Sequence, residues 1–340
     1  MPLTLVPASM QESTAQYTGF KNRIINGEMD IDQRNAGASV TATTSNPYLV
    51  DRWCAVASQN SKYTAQQNAA SVARPAGFTN YLGATSSSAY TVLTADYFAL
   101  QQIIEGLNLS DLGWGTANAS AVTLSFWVRS SLTGTFGGSL TNNGSTRSYP
   151  FSYTISSANT WEQKIITIAG DTSGTWLTTN GVGIRLGFGL GVGATYSGTA
   201  GVWSGSNFVS ATGATSVVGT SGATFYITGV QLEKGSVATS FDFRSIGQET
   251  LLCQRYYQFF GGNISMPYVS TFYTARRRYC GIFPVPMRAT PTMTGTFSYD
   301  GTGSNASIAA NNQNNYDAIT DVTGAGFAAN LTSYTANAEL

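Results

Sequence analysis

The stretch Val122-Thr-Leu-Ser-Phe-Trp-Val128 alternates apolar and small polar residues along its length. Because successive side chains of a β-strand point to opposite faces of a sheet, this alternation predicts a strand with one buried face. The same theme returns at residues 161–168, 183–188 and 224–232. Several strands of this kind, separated by turns, are typical of two packed antiparallel sheets. We therefore expect an all-β sandwich.

The composition of the chain agrees with an all-β fold. Its 340 residues include 37 glycines and 12% aromatic residues, whereas charged residues make up only 10%. Glycine, serine, threonine and aromatic residues are common in strands and tight turns. No repeat of about 20–50 residues runs along the chain, which argues against a solenoid or a propeller.

The charges and the reactive residues exclude several classes of function. Lys plus Arg and Asp plus Glu number 17 each, so the net charge is zero and we expect no nucleic-acid partner. The chain has no histidine, which excludes a Ser-His-Asp triad and histidine-based metal sites. Its cysteines, Cys54, Cys253 and Cys280, are too far apart for a zinc ribbon. We expect neither a metal nor a cofactor.

Two segments bear on the secondary structure and on the division of the chain into domains. Residues 96–105 fit either an amphipathic helix or a strand, and the surrounding pattern favours a strand. Ser245 and Gln248 have the spacing of a capping box, which predicts a short helix that connects two domains. The expected units are an extended N-terminal arm over residues 1–21, a sandwich over 22–245 and a smaller C-terminal β domain over 246–340. In the last unit we expect strands over residues 255–260, 277–285, 292–299 and 325–340.

The site of synthesis and the final location are also constrained. The odd number of cysteines prevents a complete disulfide framework, which favours synthesis in a reducing cytoplasm. The chain has no run of about 18 apolar residues, so we expect no membrane insertion. Residues 1–20 lack the charged and apolar regions of a signal peptide. A protein that works outside a cell without being secreted leaves by lysis, as a virus particle does.

Three groups of motifs follow one another along residues 21–260, and the first begins Lys21-Asn-Arg-Ile-Ile-Asn-Gly27. The groups occupy residues 21–35, 48–53, 122–129, 160–164, 170–176, 225–235, 241–244 and 249–257. In this combination the chain resembles the tail-fibre and adhesin proteins of tailed bacteriophages, notably phages of aquatic bacteria. Those proteins carry a jelly-roll that is similar to carbohydrate-binding modules.

The resemblance implies a jelly-roll on a homotrimeric fibre that contacts the host surface. In such a protein, residues 1–21 attach to phage tail or baseplate proteins, and the C-terminal β domain forms the distal tip or the trimerisation region. The partner is a glycan of the bacterial surface. The chain is made in the host cytoplasm and becomes part of the virion tail. A jelly-roll also predicts that the first strand, at Arg23, lies beside the last, at Leu232.

One position departs from the related jelly-rolls. These often hold a structural calcium between an early Asn-Gly-x-x-Glu-type turn and an aspartate of the last strand. Gly27 and Glu28 match the early part, but Thr228 stands where the acidic ligand is expected. Calcium prefers several hard oxygen ligands, above all carboxylates. No metal ligand is therefore predicted, and calcium binding at this turn is the alternative.

Exposed aromatic rings are candidates for glycan contact, because the apolar faces of sugars pack on them. Trp127 and Trp53 lie among apolar residues and are expected in the core. The candidates near polar loops are Tyr196, Trp203, Trp114 and Trp176. Trp203 together with Tyr196 is the preferred pair, and a packing role for Trp203 is the alternative.

The basic cluster Arg276-Arg-Arg-Tyr-Cys280 offers a second kind of contact. In a strand, Arg276 and Arg278 share one face. With the flanking Tyr273 and Tyr279, these arginines suit anionic sugars or lipopolysaccharide phosphates. The alternative is that they pair with acids across a trimer interface.

A glycine run at residues 181–193 looks like a phosphate-binding loop, but no helix pattern follows it. Its glycines alternate with apolar residues, so we expect a strand with a flat face that a neighbouring protomer or a glycan approaches closely. Among the acids, Asp30 and Asp32 lie two residues apart. The nearby Arg34 and Arg52 indicate ion pairs there rather than a glycosidase pair.

These observations together predict a phage tail-fibre component that attaches to the bacterial host. It binds a surface polysaccharide without cleaving it and is not expected to be an enzyme. The first alternative is a structural decoration or collar protein of the virion, which binds no host cells. The second is a polysaccharide depolymerase, which needs a groove lined by carboxylates.

Overall fold

The structure is a computed structural model that describes residues 20–266, 275–299, 302–323 and 329–340. Two six-stranded sheets pack face to face and confirm the all-β sandwich. In chain order, the strands of this part are β1 (Val40–Thr41), β2 (Tyr48–Val50), β3 (Trp53–Ala57), β4 (Tyr63–Gln67), β5 (Leu82–Ser86), β6 (Tyr97–Glu105), β7 (Val122–Ser130), β8 (Gly134–Thr141), β9 (Ser148–Ile155), β10 (Glu162–Ile168), β11 (Val182–Val192), β12 (Ser197–Gly198), β13 (Ser210–Ala211) and β14 (Thr224–Lys234).

The strand order shows the crossovers of a jelly-roll-like sandwich. Sheet A has the order β1-β4-β5-β14-β7-β10, and sheet B has the order β2-β3-β6-β11-β8-β9. Neighbours within both sheets are antiparallel. The short β12 and β13 form a separate parallel pair. Strands that are consecutive in the chain often lie in different sheets, so long connections cross the ends of the sandwich.

The core between the sheets consists of the inward positions that the alternation predicts. Phe126 of β7 and Phe188 of β11 are fully buried and lie edge to face, with ring centroids 4.9 Å apart. Trp53 is fully buried, as expected. The expectation for Trp127 is wrong: it lies between the inward Phe126 and Val128, on the outer face of sheet A, and is only half-buried.

The segment with two possible conformations is a strand. Residues Tyr97–Glu105 form β6, which pairs with β3 on one side and with β11 on the other. A helix at this position would leave the backbone groups of both neighbouring strands without partners inside sheet B. The sequence of this segment fits the period of a helix and that of a strand, so its pairing with distant strands decides the conformation.

The chain enters the sandwich beside its last strand. The Arg23 amide donates to the Leu232 carbonyl at 3.0 Å, and the Val230 amide donates to the Gly27 carbonyl at 3.0 Å. The predicted proximity of Arg23 and Leu232 is confirmed, although residues 22–33 form no regular strand. The arm expected over residues 1–21 lies, apart from residues 20 and 21, outside the described residues.

Asn26 holds this entry segment in place. It is fully buried and has a left-handed backbone, with a φ of 57°. Its side-chain amide donates to the carbonyls of Ile31 at 2.8 Å and Asp51 at 2.9 Å, and its Oδ1 accepts from the Ile31 amide at 3.0 Å. The Trp53 indole donates to the Asn26 carbonyl at 3.0 Å. One side chain thus satisfies three buried backbone groups, two at Ile31 and one at Asp51.

A short helix follows the last strand of the sandwich, as predicted. Helix α1 (Ile246–Gln254) begins after Ser245, whose Oγ accepts from the Gln248 amide at 3.3 Å. This is the N-cap bond that the spacing of the two residues indicates. Within the described residues, no helix is long and apolar enough to cross a membrane.

The C-terminal residues form two three-stranded sheets with a hydrophobic core of their own. Four of the six strands overlap predicted ones, and the two from residues 302 and 315 onward were not predicted. The domain boundary expected at residue 245 stays a prediction. The strands are β15 (Tyr257–Met266), β16 (Ala275–Ile282), β17 (Thr292–Tyr299), β18 (Thr302–Ala310), β19 (Asn315–Thr323) and β20 (Ala329–Asn337).

Buried ion pairs join these C-terminal strands to the sandwich. The Glu105 carboxylate, at the end of β6, accepts two hydrogen bonds from Arg255, at 2.7 and 3.0 Å. Near the end of the chain, Glu339 pairs with Arg52 and with Arg34, the latter at 3.0 Å. Removing one partner of such a pair leaves an uncompensated buried charge. These contacts therefore hold Arg255, just before β15, and Glu339, just after β20, against the sandwich.

The ion pairs expected within the first motif group do not form. Asp30 accepts hydrogen bonds from Thr79 and Asn80, at 2.9 and 2.8 Å. Asp32 caps a turn by accepting from backbone amides. Arg34 and Arg52 instead pair with Glu339. Spacing along the chain suggested local partners, whereas the fold supplies a partner from the other end of the sequence.

We predict that the substitution Asn26→Ala destabilises the protein strongly. It removes three buried hydrogen bonds, each worth about 1 kcal/mol. The matched control is Asn159→Ala, because Asn159 also has a left-handed backbone, with a φ of 58°, but an exposed side chain. Chemical denaturation followed by tryptophan fluorescence should show a free energy of unfolding lower by about 3 kcal/mol in Asn26→Ala than in the control. Equal stability of the two variants would contradict this role of Asn26.

Candidate functional site

A cleft of about 240 Å³ opens on the outer face of sheet B, over β3, β6, β8 and β11. The positions that face it alternate with core positions of the same strands. Gln101 follows the buried Leu100, and Arg185 precedes the buried Leu186. The cleft is lined by Asn46, Val56, Tyr97, Gln101, Ser139, Thr141, Ser145, Arg185, Tyr196, Asn207 and Val209.

The floor of the cleft is open because its centre carries no side chain. Gly187 of β11 pairs with Gln101 of β6 on one side and with Ser139 of β8 on the other. A Cβ atom added to Gly187 would meet only Gln101 Nε2, at 4.0 Å. Any larger residue at position 187 would therefore extend into the cleft. The strand interpretation of the glycine run is confirmed, since β11 spans Val182–Val192.

Part of the flat glycine face is covered by the chain itself. Added Cβ atoms at Gly137 and Gly189 would collide with Ser210 of β13, which lies directly on them. Close approach of another surface was expected along the run over residues 181–193, and at Gly189 that surface belongs to the same chain. The connection that contains β13 also supplies Tyr196 and Val209 to the wall of the cleft.

Two tyrosines form the aromatic part of the cleft. Tyr97 and Tyr196 lie edge to face, with ring centroids 5.1 Å apart and an angle of 80° between the rings. Both are half-buried, so part of each ring stays accessible from the cleft. Each ring offers an apolar surface, and each hydroxyl can donate or accept a hydrogen bond.

Arg185 is the only charged residue among the described residues that line the cleft. It is half-buried, and its Nη1 donates to the carbonyls of Asn142 and Asn143, at 3.0 and 2.8 Å. Burial lowers the pKa of the Arg185 guanidinium, which still remains protonated, as arginine does in proteins. The other polar lining groups are hydroxyls and amides.

Three of the four predicted aromatic contacts lie together outside this cleft. The rings of Trp114, Trp176 and Trp203 pack edge to face in a triangle, with centroids 4.8 to 5.5 Å apart. Each indole donates to a main-chain carbonyl, at 2.7 to 3.1 Å. Trp203 also packs against Tyr149 at 5.1 Å. The structure thus separates Trp203 from Tyr196, and only Tyr196 lines the cleft.

A second, smaller cleft lies beside this tryptophan triangle. Its volume is about 190 Å³, and its lining includes Trp114, Trp176, Leu109 and Leu177. Trp114 and Trp176 are mostly buried, at 8% and 9% exposure. Little of either ring is therefore accessible. The glycan role of these tryptophans stays a prediction.

The predicted basic cluster is described only in part. Arg278 of β16 forms an ion pair with Asp317 of β19, the strand beside it. The hydrogen bond from Arg278 lowers the pKa of Asp317 to about 2. This partner belongs to the same chain, whereas the alternative to glycan binding placed it across a trimer interface. The Arg276 side chain and Tyr273 lie outside the described residues.

Related jelly-rolls place an acidic calcium ligand in the last strand, and this chain has the hydroxyl of Thr228 at that position. Thr228 donates to the carbonyls of Asn80, at 2.7 Å, and Glu28, at 3.3 Å. In residues 20–266 and the three described C-terminal ranges, no group of three Cys, Asp or Glu side chains is placed to hold a metal ion. Burial, followed by Asp30, Glu249 and, more weakly, Asp242, raises the pKa of Glu28 to about 7, against the lowering effect of Arg244.

Several cleft residues were not predicted from the sequence, Tyr97, Gln101 and Arg185 among them. For Arg185 a signal was present. The alternation that places Ile184 and Leu186 in the core also places Arg185 on the glycine face, beside Gly187. Tyr97 and Gln101 carried no such signal, since their facing depends on the choice between strand and helix for residues 96–105.

No model of a known protein family matches the chain, and no curated protein matches it. The chain is similar in structure to a CBM4, with 14% identity and a TM-score of 0.31, over 62% of this chain and 97% of that chain. It is similar to a family 11 carbohydrate-binding module from Clostridium thermocellum in complex with a mixed-linked tetrasaccharide, with 10% identity and a TM-score of 0.29, over 60% and 100% of the chains.

A third similar structure comes from a virus. It is the enzymatically active domain of tailspike protein 4 of bacteriophage CBA120, with 11% identity and a TM-score of 0.33. The match covers 63% of this chain but only 21% of the tailspike chain. At such low identity, the three similarities concern the fold alone.

We predict that Glu28 makes the stability of the protein fall as the pH rises. The pKa of its carboxyl is 4.5 ordinarily and about 7 in the folded chain. Between these values the folded chain holds a proton that the unfolded chain has lost, so the free energy of unfolding decreases toward pH 7. The Glu28→Gln variant should be more stable than the wild type at pH 8 and equally stable near pH 4, in chemical denaturation at both pH values.

The control for this experiment is Glu162→Gln. Burial raises the pKa of Glu162, but hydrogen bonds from Lys164 and from the Ser157 and Ser156 amides outweigh burial and lower it. This variant should therefore be less stable than the wild type at pH 8. A Glu28→Gln variant that is also less stable at pH 8 would show that the Glu28 carboxylate is stabilising.

Proposed function

We propose that the protein binds a polysaccharide of the bacterial surface in the cleft of sheet B and does not cleave it. The observation that carries this proposal is the chemistry of the lining. Two accessible tyrosine rings stand beside amide and hydroxyl groups, above a floor that Gly187 leaves open. A sugar presents apolar C–H faces and a rim of hydroxyls, and these groups fit such a lining.

The two parts of the lining have different tasks in this proposal. The rings of Tyr97 and Tyr196 pack on the C–H face of one sugar unit. Gln101, Ser139 and Thr141 exchange hydrogen bonds with its hydroxyls. Strands β6 and β8, in the middle of sheet B, hold these polar groups, and rigid elements position binding groups better than loops do.

The absence of acids from the lining favours binding over cleavage. Glycoside hydrolysis ordinarily uses two carboxyl groups, about 5–10 Å apart across the scissile bond. None of the described residues that line the cleft is an Asp or a Glu. A depolymerase would therefore need another site. Sustained release of reducing sugar from host envelopes by the purified protein would establish the depolymerase alternative.

The place of the protein in a phage tail fibre is supported by the motif groups of residues 21–260. In this proposal the protein is a homotrimer in the virion tail, residues 1–21 join it to other tail or baseplate proteins, and the cleft faces the host. The competing proposal, a decoration or collar protein, predicts no binding to host cells. The mass of the full-length protein in solution tests the trimer separately.

We predict that filling the cleft abolishes binding to host cells. The Gly187→Leu variant places a side chain in open space, so it should fold normally and block the cleft. The control is Gly247→Leu, because Gly247 lies in the exposed first turn of α1 and an added Cβ there meets no atom within 4 Å. Tyr196→Ala removes one ring and should weaken binding about tenfold, which corresponds to about 1.4 kcal/mol.

The measurement is staining of candidate host cells with the fluorescently labelled full-length protein, with thermal melting as the check of folding. The wild type and Gly247→Leu should stain equally. Gly187→Leu should not stain, although its melting temperature is unchanged. If the folded Gly187→Leu variant stains like the wild type, the glycan does not bind in this cleft.

A further inference from the structure

Arg185 uses only one part of its guanidinium to hold the protein together. Both of its hydrogen bonds leave from Nη1, to the carbonyls of Asn142 and Asn143. Its Nε and Nη2 form no hydrogen bond with any described residue. Neither of these two atoms is a buried polar atom that lacks a partner, whereas Nε of Arg52 and Nε of Arg129 are such atoms. The Nε–Nη2 edge of Arg185, a residue that lines the cleft, therefore keeps contact with solvent.

The same edge binds a carboxylate at two other arginines of this chain. Arg147 donates from Nε and Nη2 to the two oxygens of Asp171, both at 2.7 Å. Arg255 donates from Nε and Nη2 to the two oxygens of Glu105, at 3.0 and 2.7 Å. Paired, parallel bonds of this kind suit carboxylate and phosphate groups and are stronger than neutral hydrogen bonds. Arg185 presents this arrangement without its anion.

The surroundings of Arg185 contain no acid that could take the place of that anion. No Asp or Glu of the described residues forms an ion pair with Arg185, and none lines the cleft. Its partner positions in the sheet are Ile103 of β6 and Thr141 of β8. A half-buried cation without a counter-charge loses hydration without full compensation. A bound anion would supply that compensation.

We propose that the glycan bound in this cleft is acidic, and that a carboxylate or phosphate group on it binds side-on to Nε and Nη2 of Arg185. This inference rests on the proposed function, because it names the chemical class of the polysaccharide. The tyrosine rings hold a sugar unit by its face, and Arg185 selects units that carry an anionic group. Lys in place of Arg185 would keep the charge but lose the paired geometry.

A structural role is the competing explanation for Arg185. Its two bonds to Asn142 and Asn143 hold the turn between β8 and β9. If that were its whole task, replacing it would change the stability of the protein but not its choice between charged and neutral glycans. Selectivity is therefore the quantity to measure.

The experiment compares matched polysaccharides with the full-length protein by titration calorimetry. One pair is polygalacturonate and its carboxyl-reduced product, and the other is a phosphomannan and its dephosphorylated product. Hydrogen bonds to charged groups are worth about 1.5–3 kcal/mol, so at least one acidic polymer should bind about 10- to 100-fold more tightly than its neutral partner. The pair that shows the difference tells carboxylate from phosphate.

Three variants make the comparison specific. Arg185→Gln should remove the preference, and Arg185→Lys should keep only part of it. The control is Arg129→Gln, which replaces a half-buried arginine outside the cleft and should leave the preference unchanged. Cell staining by Arg185→Gln, with melting as the check of folding, should fall at least tenfold.

The possible failures are distinguishable. Equal binding of acidic and neutral partners by the wild type overturns the acidic-glycan proposal and leaves glycan binding intact. The same holds if neither acidic polymer binds while wild type and Arg185→Gln stain host cells equally. If the wild type stains no host cell and binds no polymer, the proposed function fails and this inference fails with it.

Discussion

The sandwich depends on a buried segment of chain that belongs to neither sheet. Residues 22–33 have few regular backbone partners, yet buried backbone groups need hydrogen bonds. The segment meets sheet A through the backbone, at the Arg23–Leu232 contact, and sheet B through side chains. Gln102 of β6 accepts from the Ile25 amide at 3.0 Å and donates to the Ile25 carbonyl at 2.8 Å, as a neighbouring strand would. The Gln102 side chain thus makes the two hydrogen bonds that a neighbouring strand would otherwise make with Ile25.

The same segment is where the sandwich meets the rest of the protein. The Asn26 amide donates to Glu249 of α1, and Arg244 donates to the carbonyls of Asn22 and Ile24. Gln33 donates to the Tyr257 carbonyl at 3.1 Å. This explains why residues 21–35 form such a distinctive motif: most of them have a fixed partner inside the fold. The residues that are easiest to recognise in the sequence therefore build the framework and lie outside the cleft.

Local patterns predicted which way strand residues face, but not which strands meet. The alternation in β11 correctly placed Leu186 inside, because facing depends only on the period of a strand. The cleft requires β3, β6, β8 and β11 to lie side by side, and their order follows from long crossovers. Trp203 lies in a loop, as its Gly and Ser neighbours indicate, but its packing against Trp114 and Trp176 depends on contacts between distant parts of the chain. The strands from residues 302 and 315 onward escaped prediction because polar residues interrupt their alternation, Asn305 and Ser307 in the first and Asp317 and Asp321 in the second.

The carboxylates with raised pKa values and those in ion pairs lie outside the cleft, which agrees with the proposed binding function. Carboxyl groups with raised pKa values often mark catalytic acids. Burial raises the pKa of Asp51 to about 6 in spite of two hydrogen bonds from Gln33, which makes it such a group in addition to Glu28. Glu28 lies in the entry segment, Asp51 accepts hydrogen bonds from Gln33 of that segment, and neither acid lines the cleft. Other acids, such as Glu105 and Asp171, neutralise arginines of the framework.

The cleft is therefore left with rings, amides, hydroxyls and one arginine. A few side chains on its walls can change without any loss to the framework, because the buried bonds that hold the sheets together lie elsewhere. Tyr196 and Val209 reach the wall from the connection around β13, whereas Gln101 and Arg185 come from central strands. The connection tolerates changes in length and sequence better than the strands do. Under the proposed function, a change of glycan is thus expected to begin at the wall, while the open floor over Gly187 stays constant.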